Sequence, residues 1–86
     1  MGSHRIYIFV LVQVYRRFKE VIIAVDWGQC GGFLAVAGSK GTLAIYSIDT
    51  STGLIDVQYC EKKPFHYCSL KWSPVYPLLA CGSIDG

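Results

Sequence analysis

An all-β fold is predicted for this chain by three observations. Short runs of β-branched and aromatic residues alternate with clusters of Gly, Pro, Ser and Asp, the pattern of strands joined by tight turns. The sequence also repeats on itself at a shift of forty-five residues, which sets Trp27 on Trp72, Leu34-Ala35 on Leu79-Ala80 and Gly41 on Gly86. Gly38-Ser39 falls on Gly82-Ser83 when one residue is skipped. Finally, 86 residues that are 52% apolar, 14% aromatic and 16% charged are too hydrophobic for disorder and short of charge for a self-contained soluble domain. A further surface is expected to cover them.

Residues 1–5 read as a disordered start or an expression remnant and carry no fold argument. Ile6 to Val14 places β-branched residues at every second position, with Tyr7, Phe9 and Leu11 filling the other face, and is predicted to be a strand buried on both sides. A transmembrane helix needs about 20 apolar residues, and this run meets Gln13 and then Arg16. A secretory signal would need a small-residue cleavage site, where Tyr15-Arg16-Arg17-Phe18 stands instead. Arg16 to Glu20 is then a charged connection around Phe18.

Val21 to Trp27 is predicted as the next strand, closed by Gly28 and a Gly31-Gly32 turn. Phe33 to Ala37 follows, and Ser39-Lys40-Gly41 turns the chain into Thr42 to Ile48. These strands are apolar on both faces, as buried inner strands must be. Asp49 to Gly53 is a polar loop, after which Leu54 to Tyr59 sets Ile55, Val57 and Tyr59 on one side and Asp56 and Gln58 on the other. That alternation describes a half-exposed outer strand. Glu61-Lys62-Lys63-Pro64 returns the chain to Tyr67 to Trp72. Ser73-Pro74 and Pro77 then break the run, Leu78 to Cys81 is a short apolar strand, and Ile84-Asp85-Gly86 opens a tight turn.

Tyr67, Leu70, Trp72-Ser73-Pro74, Leu78-Leu79-Ala80 and Gly82-Ser83-Ile84-Asp85-Gly86 together resemble the WD40 repeat, whose pattern runs V-x-x-L-x-W-S-P and then L-L-A-S-G-S-x-D-G before a strand ending in W-D. The internal period agrees with the roughly 40–45 residues of such a propeller blade. The resemblance covers the chain from Val21 onward and implies a WD40-like β-propeller fragment of four-stranded antiparallel blades. Residues 6–20 would then be the outer strand of a preceding blade with its connection, 21–60 one complete blade, and 61–86 the truncated start of the next. Trp27, Gly41, Trp72, Asp85 and Gly86 would hold the structural repeat positions.

Some family residues are replaced. Lys62-Lys63 occupies the usual Gly-His place, and His66 lies too near Trp72 to substitute. Tyr46-Ser47 stands for Trp-Asp, and Lys40-Gly41 for the Asp-Gly of the turn. Without a matching histidine, Asp85 is expected to cap its own turn through local backbone bonds. A closed ring needs about 4–8 blades, so the chain is expected to be a slice of something larger, or one copy in a ring. A unit this small sits near the point where apolar burial only just offsets ordering entropy.

The formal net charge of +2 implies neither nucleic acid nor an anionic membrane, and the basic run at Arg16, Arg17 and Lys19 is expected to be solvated. Cys30, Cys60, Cys68 and Cys81 show no pair separated by two residues, as a zinc ribbon or redox pair would require, and are expected to be reduced, buried or half-buried thiols in an intracellular, cytoplasmic protein. A metal site from Cys60, His66 and Cys68 is the competing reading. His66 and Cys68 cannot form a nucleophile pair on one strand, because residues two apart project about 7 Å from one another. Asp26, Asp49, Asp56, Glu61 and Asp85 are scattered among strands and turns, and Gly28, Gly31 and Gly32 open no helix, so neither paired carboxylates nor a phosphate loop is formed.

Trp27 and Trp72 are expected in the core. Lys40, Asp49, Lys71 and Tyr76 are the candidate partner contacts, since turns on a rigid scaffold carry function. By resemblance the function is that of a non-catalytic scaffold segment, which holds other protein subunits in an assembly without cofactor, metal or small-molecule substrate. The alternatives are a small β-protein closing a homo-oligomeric ring, and a small metal or redox protein.

Overall fold

The computed structural model describes residues 12–28, 32–49, 51–76 and 78–83. A short helix, α1, covers residues 12–17. Six strands follow: β1 (Ile22–Trp27), β2 (Phe33–Gly38), β3 (Thr42–Ile48), β4 (Ile55–Lys62), β5 (Tyr67–Trp72) and β6 (Leu79–Ser83). The first four form an antiparallel sheet in the order β1-β2-β3-β4, and β5-β6 form a separate antiparallel hairpin. The chain is thus mainly β. No helix among the described residues is long and apolar enough to cross a membrane.

The two central strands, β2 and β3, are covered on both faces, for which their apolar sequences provide. Leu34, Val36, Ala44, Tyr46 and Ile48 point to one side, where Val14 of α1 is fully buried and Phe18, Ile22, Trp27 and Ile55 pack against the cluster. Ala35, Ala37 and Leu43 point to the other side and meet Leu70 and Trp72 of β5. The small Ala24, Ala35 and Ala37 leave room for those two large side chains, so the hairpin lies close on the sheet.

The two hairpins repeat each other in register. Trp27 pairs with Leu34 and Trp72 with Leu79; Val25 with Val36 and Leu70 with Cys81; Ala24 with Ala37 and Ser69 with Gly82; Ile22 with Gly38 and Tyr67 with Ser83. Every pair of β5-β6 lies forty-five positions after its counterpart in β1-β2. Even the register shift recurs, between Ile22 and Ala24 and again between Tyr67 and Ser69. So does the closing bond: Gly28 N–H donates to the Phe33 carbonyl and Ser73 N–H to the Leu78 carbonyl, each at 2.7 Å. The shift at Ile23 lets Ile22 and Trp27 share one face although their numbering is of opposite parity.

Several expectations are corrected. The end of the predicted Ile6 to Val14 strand is helical: Val12, Gln13 and Val14 belong to α1, and Ile6 to Leu11 lies outside the described residues. Val14 and Phe18, four apart, put two large side chains on one helix face, and Phe18 N–H donates to the Val14 carbonyl at 2.8 Å. The outer strand predicted over Leu54 to Tyr59 runs instead from Ile55 to Lys62, so Glu61 and Lys62 belong to β4 and not to the return connection. Tyr59 does not share a side with Val57. Tyr46 pairs with Val57 while the adjacent Ile45 pairs with Tyr59, so the extra residue at Gln58 turns Tyr59 to the hairpin side.

Turns fix the strand ends. The Lys40 backbone N–H donates to Glu20 Oε1 at 2.8 Å and the Thr42 hydroxyl donates to Glu20 Oε2, so one carboxylate clamps the β2-β3 turn. Partial burial opposes ionisation of Glu20, but these bonds and the charge of Lys62 hold its carboxyl below the usual value. Gly41 sits in that turn at φ 95°, buried beneath the backbone of Lys63 and Phe65.

Candidate interaction surface

The site is built where β5 crosses β1. Asp26 lies between Val25 and Trp27, whose side chains turn to the opposite face, so its own side chain points at the hairpin. There the Trp72 backbone N–H donates to Asp26 Oδ2 at 2.7 Å, and the Trp72 indole Nε1–H donates to the Asp26 carbonyl at 3.0 Å. The indole stacks on Phe33 with ring centroids 6.1 Å apart at 25° and closes over Gly28. A cleft of about 210 Å³ remains beside this joint, lined by Asp26, Trp27, Lys71, Trp72, Ser73 and Pro74. A second, of about 340 Å³, shares Lys71 to Pro74 with the first and is completed by Leu78, Leu79 and Ala80.

A second joint links β4 to β5. The hydroxyls of Tyr59 and Tyr67 donate to Glu61 at 2.7 Å and 3.2 Å, and Lys63 Nζ lies 3.6 Å from Glu61 Oε2. The Tyr59 bond, opposed by slight burial and aided by Tyr67 and Lys63, keeps the Glu61 carboxyl below its usual value. Glu61 in turn raises the Tyr59 phenol, while burial first and then Glu61 raise that of Tyr67.

Three of the four candidate contacts gather at one end. The loops after β1, β3 and β5 lie on the same side of the stack, since Ile48 N–H bonds the Gly32 carbonyl and Trp72 sits over Gly28. Lys71, Tyr76 and Asp49 therefore share that end, all exposed, while Lys40 is at the opposite one. Asp49 is tied into its own turn: Oδ1 accepts the Ser51 backbone N–H at 3.0 Å and its hydroxyl at 2.6 Å, and these bonds lower its carboxyl. Trp72 is buried and Trp27 half-buried against the α1 side. Asp85 and Gly86 lie outside the described residues.

The thiols depart from expectation. Cys60, Cys68 and Cys81 are free but exposed, not buried. Cys60 is on the edge strand β4, Cys68 occupies the register shift of β5, and Cys81 is on β6, whereas it is β5 that lies over the sheet. Partial burial and then Glu61 raise the Cys81 thiol. Cys30 lies outside the described residues. Among the described residues no three His, Cys, Asp or Glu side chains are placed to hold a metal ion, so Cys60, His66 and Cys68 form no such group.

Sequence reading did not find the roles of Asp26, Glu20 and Glu61. The signal for Asp26 was a lone carboxylate inside an otherwise apolar strand, which calls for a buried donor.

Comparison of the chain with protein-family models, with curated proteins and with solved structures finds no match.

Proposed function

We propose that the chain is a non-catalytic interaction segment, built from blade-like repeats of the WD40 kind, which serves as a platform for other protein subunits. The observation that supports this most is the stacking of two hairpins with one register, the forward face of the second lying on the rear face of the first. Such head-to-tail contacts use different faces on the two partners, so they extend or close into a ring. A rigid stack of this kind carries its loops and its outer faces as recognition surfaces.

Native mass measurement of the particle that contains the chain, with the denatured mass of the polypeptide itself, tests this reading. A heteromeric particle of defined stoichiometry is expected. A monomer without partners would overturn it. The geometry that favours a platform also favours a ring of identical copies, since both faces of the repeat are used heterologously. A particle whose mass is a whole multiple of this polypeptide alone would establish that second reading instead.

A further inference from the structure

The fold gathers positive charge onto one end of the stack. Arg16, Arg17 and Lys19 lead into β1, Lys40 stands in the β2-β3 turn, and Lys62 and Lys63 close β4. Contacts between these stretches bring them together. The Phe18 ring lies beside Gly38, Glu20 accepts the Lys40 N–H at 2.8 Å, and the Lys63 N–H donates to the Gly41 carbonyl at 2.9 Å. Lys62 pairs with Thr42, next to that turn, and its charge reaches Glu20. Among the described residues the one remaining cation is Lys71, which lies at the opposite end with Asp26, Asp49 and Asp56. The basic run at Arg16 to Lys19 is thus one part of a larger basic surface, and charge is polarised along the strands.

The two acids of this end do not neutralise it. Both oxygens of Glu20 accept bonds that hold the turn, from the Lys40 N–H and the Thr42 hydroxyl, and both oxygens of Glu61 accept tyrosine hydroxyls. Lys63 lies 3.6 Å from Glu61, and among the described residues no other cation of this end has a carboxylate within ion-pair distance. Arg16, Arg17, Lys19, Lys40 and Lys62 are all exposed. Cations held close together repel one another, and a bound anion relieves that repulsion. We propose that this end binds an acidic segment of a partner protein, whose carboxylates meet Lys19, Lys40 and Lys62. Glu20 and Glu61 favour a peptide over a nucleic acid. A nucleic-acid strand carries a phosphate at every residue and would press some of them on these two carboxylates, whereas a peptide can carry acids only where the lysines stand.

The inference rests on the platform reading and specifies its partner by charge, and its test is kept separate. A dye-labelled peptide of about a dozen residues alternating Glu with Ser is titrated into the full chain, beside the same peptide with Gln for Glu and a single-stranded DNA of equal charge. The Glu peptide is expected to bind at least about tenfold more tightly than the Gln peptide and to weaken with added salt. The double variant Lys40→Glu, Lys62→Glu is expected to lose at least about tenfold in affinity for it. Lys71→Glu should lose less than about twofold, since a strand of this length sets the two ends about 20 Å apart, beyond the Debye length of about 8 Å. Thermal unfolding verifies that the variants fold, and Lys19→Glu replaces the double variant if that one does not. Equal binding of the Glu and Gln peptides, no binding of either, or an equal loss in Lys71→Glu would overturn the inference. So would tighter binding of the DNA than of the Glu peptide, which would assign the surface to nucleic acid. Self-association abolished by the double variant would overturn it too, by assigning the surface to the acidic end of a second copy. If the particle is heteromeric but the charge preference is missing, only this inference fails; if the particle has no other subunit, the platform reading fails.

Discussion

The carboxylate of Asp26 accepts the backbone N–H of Trp72 at 2.7 Å across forty-six positions of sequence, and the Asp26 carbonyl accepts the indole N–H of the same residue. One residue of the first hairpin thus satisfies both donors of the tryptophan that the second hairpin buries against it. Replacing Asp26 by Ala strands the Trp72 N–H at the edge of the core and is expected to cost about 1–3 kcal/mol. Asp26→Asn keeps an acceptor and is expected to cost about half as much. Urea unfolding of both variants measures the difference.

Trp72 and Trp27 are equivalent in register but not in burial. Trp72→Ala removes the ring that stacks on Phe33 and covers Gly28, and is expected to destabilise by about 3–5 kcal/mol. Trp27 is only half-buried, so Trp27→Ala should cost distinctly less. Equal losses in chemical denaturation would contradict the different surroundings described for the two rings.

Gly41 holds φ 95°, and a Cβ there would press on the Lys63 and Phe65 carbonyls. Gly41→Ala is therefore expected to lower stability by more than about 1 kcal/mol, through both the backbone and the clash. A melting temperature unchanged by this substitution would mean that the turn has another conformation.

Acid should loosen the molecule through Glu20 and Glu61. Both carboxyls lie below their usual values in the folded chain, so each contributes stability that is present above the unfolded value of about 4.3 and is lost as pH falls through the lower folded value. Unfolding midpoints are expected to be flat from neutral pH down to about 5 and to fall below about 4. Glu61→Gln should make that fall shallower, because Tyr59, Tyr67 and Lys63 then lose their anion.

All six strands were legible in the letters, because alternation and turn residues report burial and punctuation locally. The repeat was legible as well, since Trp27 and Trp72 mark the same place in two hairpins. The start of the chain misled: β-branched residues up to Val14 argue for a strand, while the tertiary contact of Val14 and Phe18 with the sheet favours a helical turn. Register shifts at Ile23, Gln58 and Cys68 leave no mark in hydrophobic patterning, which is why Tyr59 was assigned to the wrong face. The exposure of Cys81 follows from where the hairpin sits, not from its apolar neighbours. The Asp26 joint joins residues far apart in sequence, so periodicity could not reveal it.

The account depends on the second hairpin lying over the first with Trp72 on Phe33 and Gly28. Nuclear Overhauser contacts from the Trp72 indole measure this directly. The account predicts contacts from that ring to the Gly28 α-protons and the Phe33 ring, and from its N–H to the Asp26 α-proton, all weakened in Asp26→Ala. A Trp72 indole without contacts to Gly28 or Phe33 would contradict the stacking, and with it the repeat geometry on which the platform reading is built.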